Sequence, residues 1–314
     1  MQDNYKEEIT TFVDDEINLR ELFDVLVKGK WMIITLTTFA SIIGVIYSLL
    51  LPNIYQSDAL LAPVDSSNNI SGALKSYGGL ASLAGISIPS GNAETNATKA
   101  IKKINTLSFF EENVLPDIFL PDLMAVETWD HTSNTLIYDI DIYDKKLNKW
   151  VRDYSYPNKQ IPSVQESFRV FQSHINISED KKTGFVIVSV KHISPYVAQK
   201  WTELLINEVN DFYRQKDKSE SLKAVNYLNN QIKMTNLSEI KKVIAELLQN
   251  ETQKLTLIEA NKYYVFDYID PPAVMEQKSE PNRAIICILS ALIGAIMSFL
   301  IVFIRHYGPS DKTS

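Results

Sequence analysis

Hydrophobic positions along this chain follow three different rhythms. Two stretches, 31–51 and 284–304, run 21 residues each without a charged side chain. At about 1.5 Å per helical residue each reaches roughly 31 Å, the hydrocarbon thickness of a bilayer, so each is predicted to span a membrane. Between them the period is two in some places and three to four in others. Residues 57–64 read as a strand, and 136–143 as another, with Tyr138, Ile140 and Ile142 on one face and Asp139 and Asp141 on the opposite, solvated one. Residues 175–193 alternate, break at 179–184 with Gly184, and alternate again, which predicts a hairpin.

Helical spacing appears at Ala100, Ile101, Ile104, Leu107 and Phe110, and again after Ser163, which stands three before Glu166 as in a capping box. From Pro195 the helical pattern continues through Val197, Trp201, Leu205, Val209 and Phe212, crosses the polar run 214–221, and resumes at Leu222, Val225, Leu228 and Ile232. Neither Gly nor a second Pro interrupts it, so about 37 residues form a rod of roughly 55 Å, too long for a compact core. Asn236 and Glu239 are placed to cap a returning helix that carries Leu237, Ile240, Ile244, Leu247, Leu255 and Ile258, and a strand is expected over 263–269. Between these segments, 66–91 is a glycine- and serine-rich loop, and 270–283 is punctuated by proline.

Composition sharpens this picture. The 314 residues are 45% hydrophobic, an ordinary globular average that conceals the two apolar stretches. The formal charge of −7 argues against nucleic acid as a partner, since phosphate binding needs a basic face. The single cysteine, Cys287, falls in the second apolar stretch, so the intervening segment cannot rely on disulfides. About 30 residues, several of them acidic, precede the first stretch, and Leu51-Pro52 offers no small-residue cleavage site; it reads as an anchor and not a signal peptide. Lys28, Lys30 and Arg305 flank the outer ends of the two stretches, which outweighs Lys278 and Arg283 and predicts cytoplasmic termini.

Motifs of catalysis are missing from the sequence. The four histidines, at 131, 174, 192 and 306, are scattered, without metal-ligand spacing. No Gly-x-x-x-x-Gly-Lys-Ser/Thr or Gly-x-Ser-x-Gly occurs. What the spans do carry is a pattern of small residues four apart: Ala40, Gly44 and Ser48 in the first, Ser290, Gly294 and Ser298 in the second. Such stripes let helix backbones approach closely, which makes these six the candidate span-packing residues and self-association through the spans an expectation.

Assembled, the pieces resemble the chain-length determinant family, the Wzz-type polysaccharide co-polymerases of bacterial surface polysaccharide assembly. INLRELFDVLVKGKW at 17–31 is similar to the family's membrane-entry signature, as is IYQSDALLAP at 54–63 after the span. YGGLASLAG at 77–85, with Gly78, Gly79 and Gly85, resembles its glycine loop, and Pro271, Pro272 and Pro281 stand where the family carries a proline-rich approach to the second span. The stretch 273–280 departs from the regular proline repeat of many members.

The resemblance implies an α+β fold class, in which two transmembrane helices flank a periplasmic α/β base with a long projecting helix. The division expected is a cytoplasmic segment 1–30, a span 31–51, a periplasmic chain-length determinant domain 52–283, a span 284–304 and a cytoplasmic tail 305–314. It further implies a non-enzymatic scaffold in the bacterial inner membrane, without cofactor or metal. Its expected partners are further copies of itself as a homo-oligomer, a membrane polysaccharide polymerase, lipid-linked polysaccharide and the bilayer. The tail after residue 304 lacks the nucleotide motif and tyrosine cluster of kinase-bearing relatives, which leaves a co-polymerase working with a separate kinase as an alternative. A two-span sensor is a second alternative, disfavoured by a tail too short for an output domain.

Overall fold

The computed structural model describes residues 25–64 and 96–307. The chain forms two compact units, one containing both apolar helices and the other running over Pro52–Glu280. In the first, α1 (Lys30–Leu50) and α7 (Arg283–Tyr307) pack together. Both are long and apolar enough to cross a membrane.

The second unit is mixed α and β. In chain order it holds β1 (Tyr55–Pro63), α2 (Asn96–Ile104), a series of short helical turns over 107–117, α3 (Leu120–Met124), β2 (Val126–Asp130), β3 (Thr135–Tyr138), β4 (Tyr143–Asp144), β5 (Lys149–Trp150), α4 (Val164–His174), β6 (Ile175–Glu179), β7 (Val186–His192), α5 (Pro195–Met234), α6 (Ser238–Ala260) and β8 (Phe266–Asp270). The main sheet has the order β6-β7-β1-β8 with every pairing antiparallel. The hairpin β6–β7 closes at Gly184, whose φ of 73° is open to glycine and strained for other residues.

One sheet face buries Ala59, Leu61, Val186, Val188 and Val190 against the first half of α5, where Trp201, Leu205, Ile206 and Val209 are buried. Each such aliphatic side chain withdrawn from water contributes about 1.5–3 kcal/mol. Phe109, Phe110 and Phe171, from the turns after α2 and from α4, close the rest of the core. Two polar groups tie α5 into the sheet: Thr202 Oγ1 donates to the Ser57 carbonyl at 3.2 Å, and Asn210 grips the start of β8.

The α+β class, the hairpin and the uninterrupted helix over the 214–221 segment are as read from the sequence; α5 runs 40 residues. Three local readings are corrected. The alternation at 136–143 is not one strand, because Asp139 Oδ1 accepts from the Asp141 amide at 2.9 Å and turns the chain, leaving Ile140 75% exposed. At Ser163 only half of the capping box forms: Ser163 Oγ accepts from the Glu166 amide, while the Glu166 carboxylate turns to Arg152. That arginine also donates to the carbonyls of Lys159 and Gln160, pinning the loop before α4. Asn236 does not cap α6, whose N-cap is Leu237 without a side-chain hydrogen bond.

Candidate functional site

Among the described residues no group of histidine, cysteine or carboxylate side chains is arranged to hold a metal ion. A recess of ≈ 530 Å³ is bordered by Asn113, Glu208, Asp211, Phe212, Gln215 and Lys216. Burial, followed by the nearby charges of Asp117 and Asp211, raises the Glu208 carboxyl above its ordinary value. The features that distinguish this chain are mechanical, and they occur in four places.

The first is the pair of apolar helices. Ser290 faces Gly44, Ala40 faces Gly294, and Val302 faces Gly29, so the residue numbers run in opposite directions and the helices are antiparallel. A Cβ added at Gly44 would fall 2.1 Å from Ser290 Oγ, and one at Gly294 would fall 2.6 Å from the Ala40 Cβ. Ser48 and Ser298 are buried in the same unit, and Arg283 Nε reaches the Ser48 carbonyl at 3.2 Å. The small-residue stripes therefore face each other within one chain, and the large side chains Ile42, Ile46, Ile288 and Leu292 remain exposed. Self-association through these stripes would have to displace that packing.

The second is the proline-punctuated return. Proline supplies a carbonyl but no amide donor, and 271–279 forms no helix or strand of its own. It is held from outside: Ser57 Oγ donates to the Ala273 carbonyl at 2.8 Å, and Ile54 forms an isolated bridge with Glu280 immediately before Pro281. Lys191 on β7 pairs with Glu280 at 2.5 Å. Pro271, Pro272 and Pro281 thus lie on a segment strapped along the start of β1. The glycine loop with Gly78, Gly79 and Gly85 lies outside the described residues.

Third is the junction where α5 leaves the sheet, a site the sequence reading missed. Asn210 Oδ1 accepts from the amides of Tyr264, Val265 and Phe266 at 3.3, 2.8 and 2.9 Å, while its Nδ2 donates to the Phe266 carbonyl at 3.1 Å. The polar run 214–221 is a brace. Arg214 donates to the carbonyls of Asn261 and Lys262, Tyr264 donates its hydroxyl proton to Asp217 at 2.5 Å, and Lys218 pairs with Glu259 at 2.5 Å. An asparagine on the apolar face of a helical pattern was the one signal available for Asn210.

The fourth place is the helical arm beyond that brace. Beyond Ser221 the partner of α5 is α6, where Ile244 is buried. Towards the N-terminus of α6, Ile240, Val243 and Leu247 are spaced by three and four, and they are 43%, 56% and 46% exposed although Ile240 and Leu247 continue the stripe of Ile244. An amphipathic helix normally buries its apolar stripe, and here the N-terminal part of that stripe stays exposed.

Residues 15–108 match the Wzz family, described as chain length determinant protein. That match takes in α1 and β1. No curated protein matches. Among solved structures, a full-length bacterial polysaccharide co-polymerase is similar at 15% identity, covering 93% of this chain and all of its own, with a TM-score of 0.35. A fragment of WzzB, the polysaccharide co-polymerase from Salmonella Typhimurium, is similar at 14% identity, covering 73% of this chain and all of its own, with a TM-score of 0.28. At those TM-scores neither superposition carries an argument.

Proposed function

We propose that this protein is an inner-membrane scaffold that sets the chain length of O-antigen, or a related surface polysaccharide, together with a membrane polymerase acting on lipid-linked polysaccharide. The observation that carries the reading is the Wzz match over 15–108, which begins before one apolar helix and extends past β1. Both termini are cytoplasmic and 52–283 is periplasmic on this reading, with α1 and α7 as spans. The flanking Lys28, Lys30 and Arg305 support that orientation.

The working form is a homo-oligomer. Its support within the described residues is the exposed apolar group Ile240, Val243 and Leu247 on α6, which a neighbouring copy would cover. A scaffold of this kind acts through shape, and the arm of one helix packed on another supplies an extended one. Deleting the gene and separating the surface polysaccharide by gel electrophoresis tests the reading. A lost or shifted modal length supports it, and an unchanged ladder overturns it.

A further inference from the structure

A second recess, smaller and chemically different from the acidic one, lies at the foot of β1. It measures ≈ 110 Å³ and is bordered by Asn53, Tyr55, Thr128, Trp129 and His131. Its largest lining side chain is the indole of Trp129 on β2. That ring contacts Tyr55 at 5.6 Å between centroids and 80° between planes, Tyr196 at 6.2 Å and 56°, and His131 at 6.4 Å and 62°. None of the three is parallel to the indole, so none is stacked on it in the offset-parallel manner.

The indole is also fixed in orientation. Its Nε1 donates to Asn134 Oδ1 at 2.9 Å, and Asn134 sits at a φ of 50° in the β2–β3 turn. Asp130 secures that turn through the Thr132 amide at 2.9 Å and the Ser133 hydroxyl at 2.6 Å. The hairpin therefore holds an aromatic surface in place before any ligand arrives.

We propose that this recess is a subsite for one pyranose residue of a polysaccharide chain. A pyranose presents C–H bonds on its ring faces and hydroxyls around its rim. The first match the face of an aromatic ring, whose π cloud is negative, and the second need donors and acceptors at the edge. Trp129 provides the surface, and Asn53, Thr128, Tyr55 and His131 provide both donors and acceptors around it. The volume accommodates part of one sugar and not an oligosaccharide, as expected for a place that a growing chain touches and leaves. Pro52 and Asn53 follow the span end Leu50 closely in the chain, so a lipid headgroup is the competing occupant. The polar rim and the fixed indole favour the sugar. The source of that sugar rests on the proposed function; the aromatic recess does not.

The test is saturation-transfer NMR on the full chain in phosphatidylethanolamine–phosphatidylglycerol nanodiscs. The probe is lipid-free polysaccharide released by mild acid from the surface of the source cells. Wild type should show transfer to ring protons, with a Kd on the order of 1 mM. Trp129→Ala should weaken binding by roughly tenfold or more, whereas Trp129→Phe, which keeps a ring but loses the bond to Asn134, should stay within roughly threefold. His131→Ala, at an exposed position, should weaken it measurably without risk to the fold. Absence of transfer in wild type, equal binding by Trp129→Ala, or transfer that follows the nanodisc lipid and ignores Trp129 would overturn the subsite. If gene deletion alters polysaccharide length while wild type binds no saccharide, the subsite falls and the chain-length function stands.

Discussion

Helix α5 belongs to two environments. Over 195–213 it buries Ala198, Trp201, Thr202, Leu205, Ile206, Val209, Asn210 and Tyr213 on the sheet; beyond Tyr213 only Ser221 is buried. The first half is a core element of the base, and the second is one strut of an arm whose other strut is α6. Both halves are continuous helix because nothing between 196 and 234 breaks it, yet their stability has different origins. The base is held by non-local burial and by hydrogen bonds across long sequence separations, such as Asn210 to Phe266. The arm is held by one thin seam, the brace at its foot, and its own backbone hydrogen bonds. An element that is stiff without being deeply buried is what a spacer requires, and the sequence continuity of α5 passes that stiffness directly from the base.

If this contrast is correct, the most damaging change is one at the junction. Asn210→Ala removes the acceptor for three buried amides and leaves a void, and should cost roughly 3–4 kcal/mol. Hydrogen exchange on the full chain in detergent should show protection lost across β8 and the first half of α5. Loss confined to α6 would break the comparison.

A slightly smaller effect should come from acid. His192 Nδ1 accepts from the Ser194 amide at 3.0 Å and its Nε2 lies 3.0 Å from the Asp122 carbonyl, so the folded ring is neutral with its proton on Nε2. Burial, with the neighbouring His174 opposing a second charge, lowers its pKa to about 4. Protonating Nδ1 would set one N–H against another. Because the folded value lies below the ordinary one near 6.5, the stabilisation is complete above that pH and is lost as pH falls from 6.5 towards 4, to a total of about 3 kcal/mol. Burial also lowers His174, whose loss has the same sign. Amides of β7 and β1 should therefore lose protection between pH 7.5 and 5 while those of the distal arm do not, and His192→Gln should flatten the base's response.

The brace should matter least to stability. Lys218 and Glu259 are both substantially exposed, so Lys218→Ala should cost no more than about 0.5 kcal/mol and leave exchange in the base unchanged. A larger loss would mean that the foot of the arm is part of the base's cooperative unit.

These distinctions were only partly legible beforehand. The apolar helices, the hairpin at Gly184 and the length of α5 are written in local sequence pattern, and strand β7 and the first half of α5 bury the face that pattern prescribes. Periodicity could not reveal that Asp139 would fold its own amide neighbours into a turn, since 136–143 alternates correctly up to the point where a side-chain hydrogen bond competes with the ladder. Nor could it show that 214–221 is a brace, because charged residues in a helix read as solvated until their partners, more than 40 positions away, are known. The same limit hid Asn210. For the candidate site, the small residues at 40, 44, 290 and 294 were visible as stripes, whereas their meeting in one antiparallel pair is a tertiary fact.

The central claim is that the arm's shape, and no reacting group, governs polysaccharide length. Asn226 is exposed on α5 in the arm, away from the brace, and is suited to a direct test. Proline there removes one backbone hydrogen bond and clashes with the preceding turn, a cost of about 3 kcal/mol that kinks the helix locally, while alanine favours it. With both variants expressed at the wild-type level, gel separation of the surface polysaccharide should show a shifted or broadened length distribution for Asn226→Pro and the wild-type distribution for Asn226→Ala. A wild-type ladder from the proline variant would contradict the account.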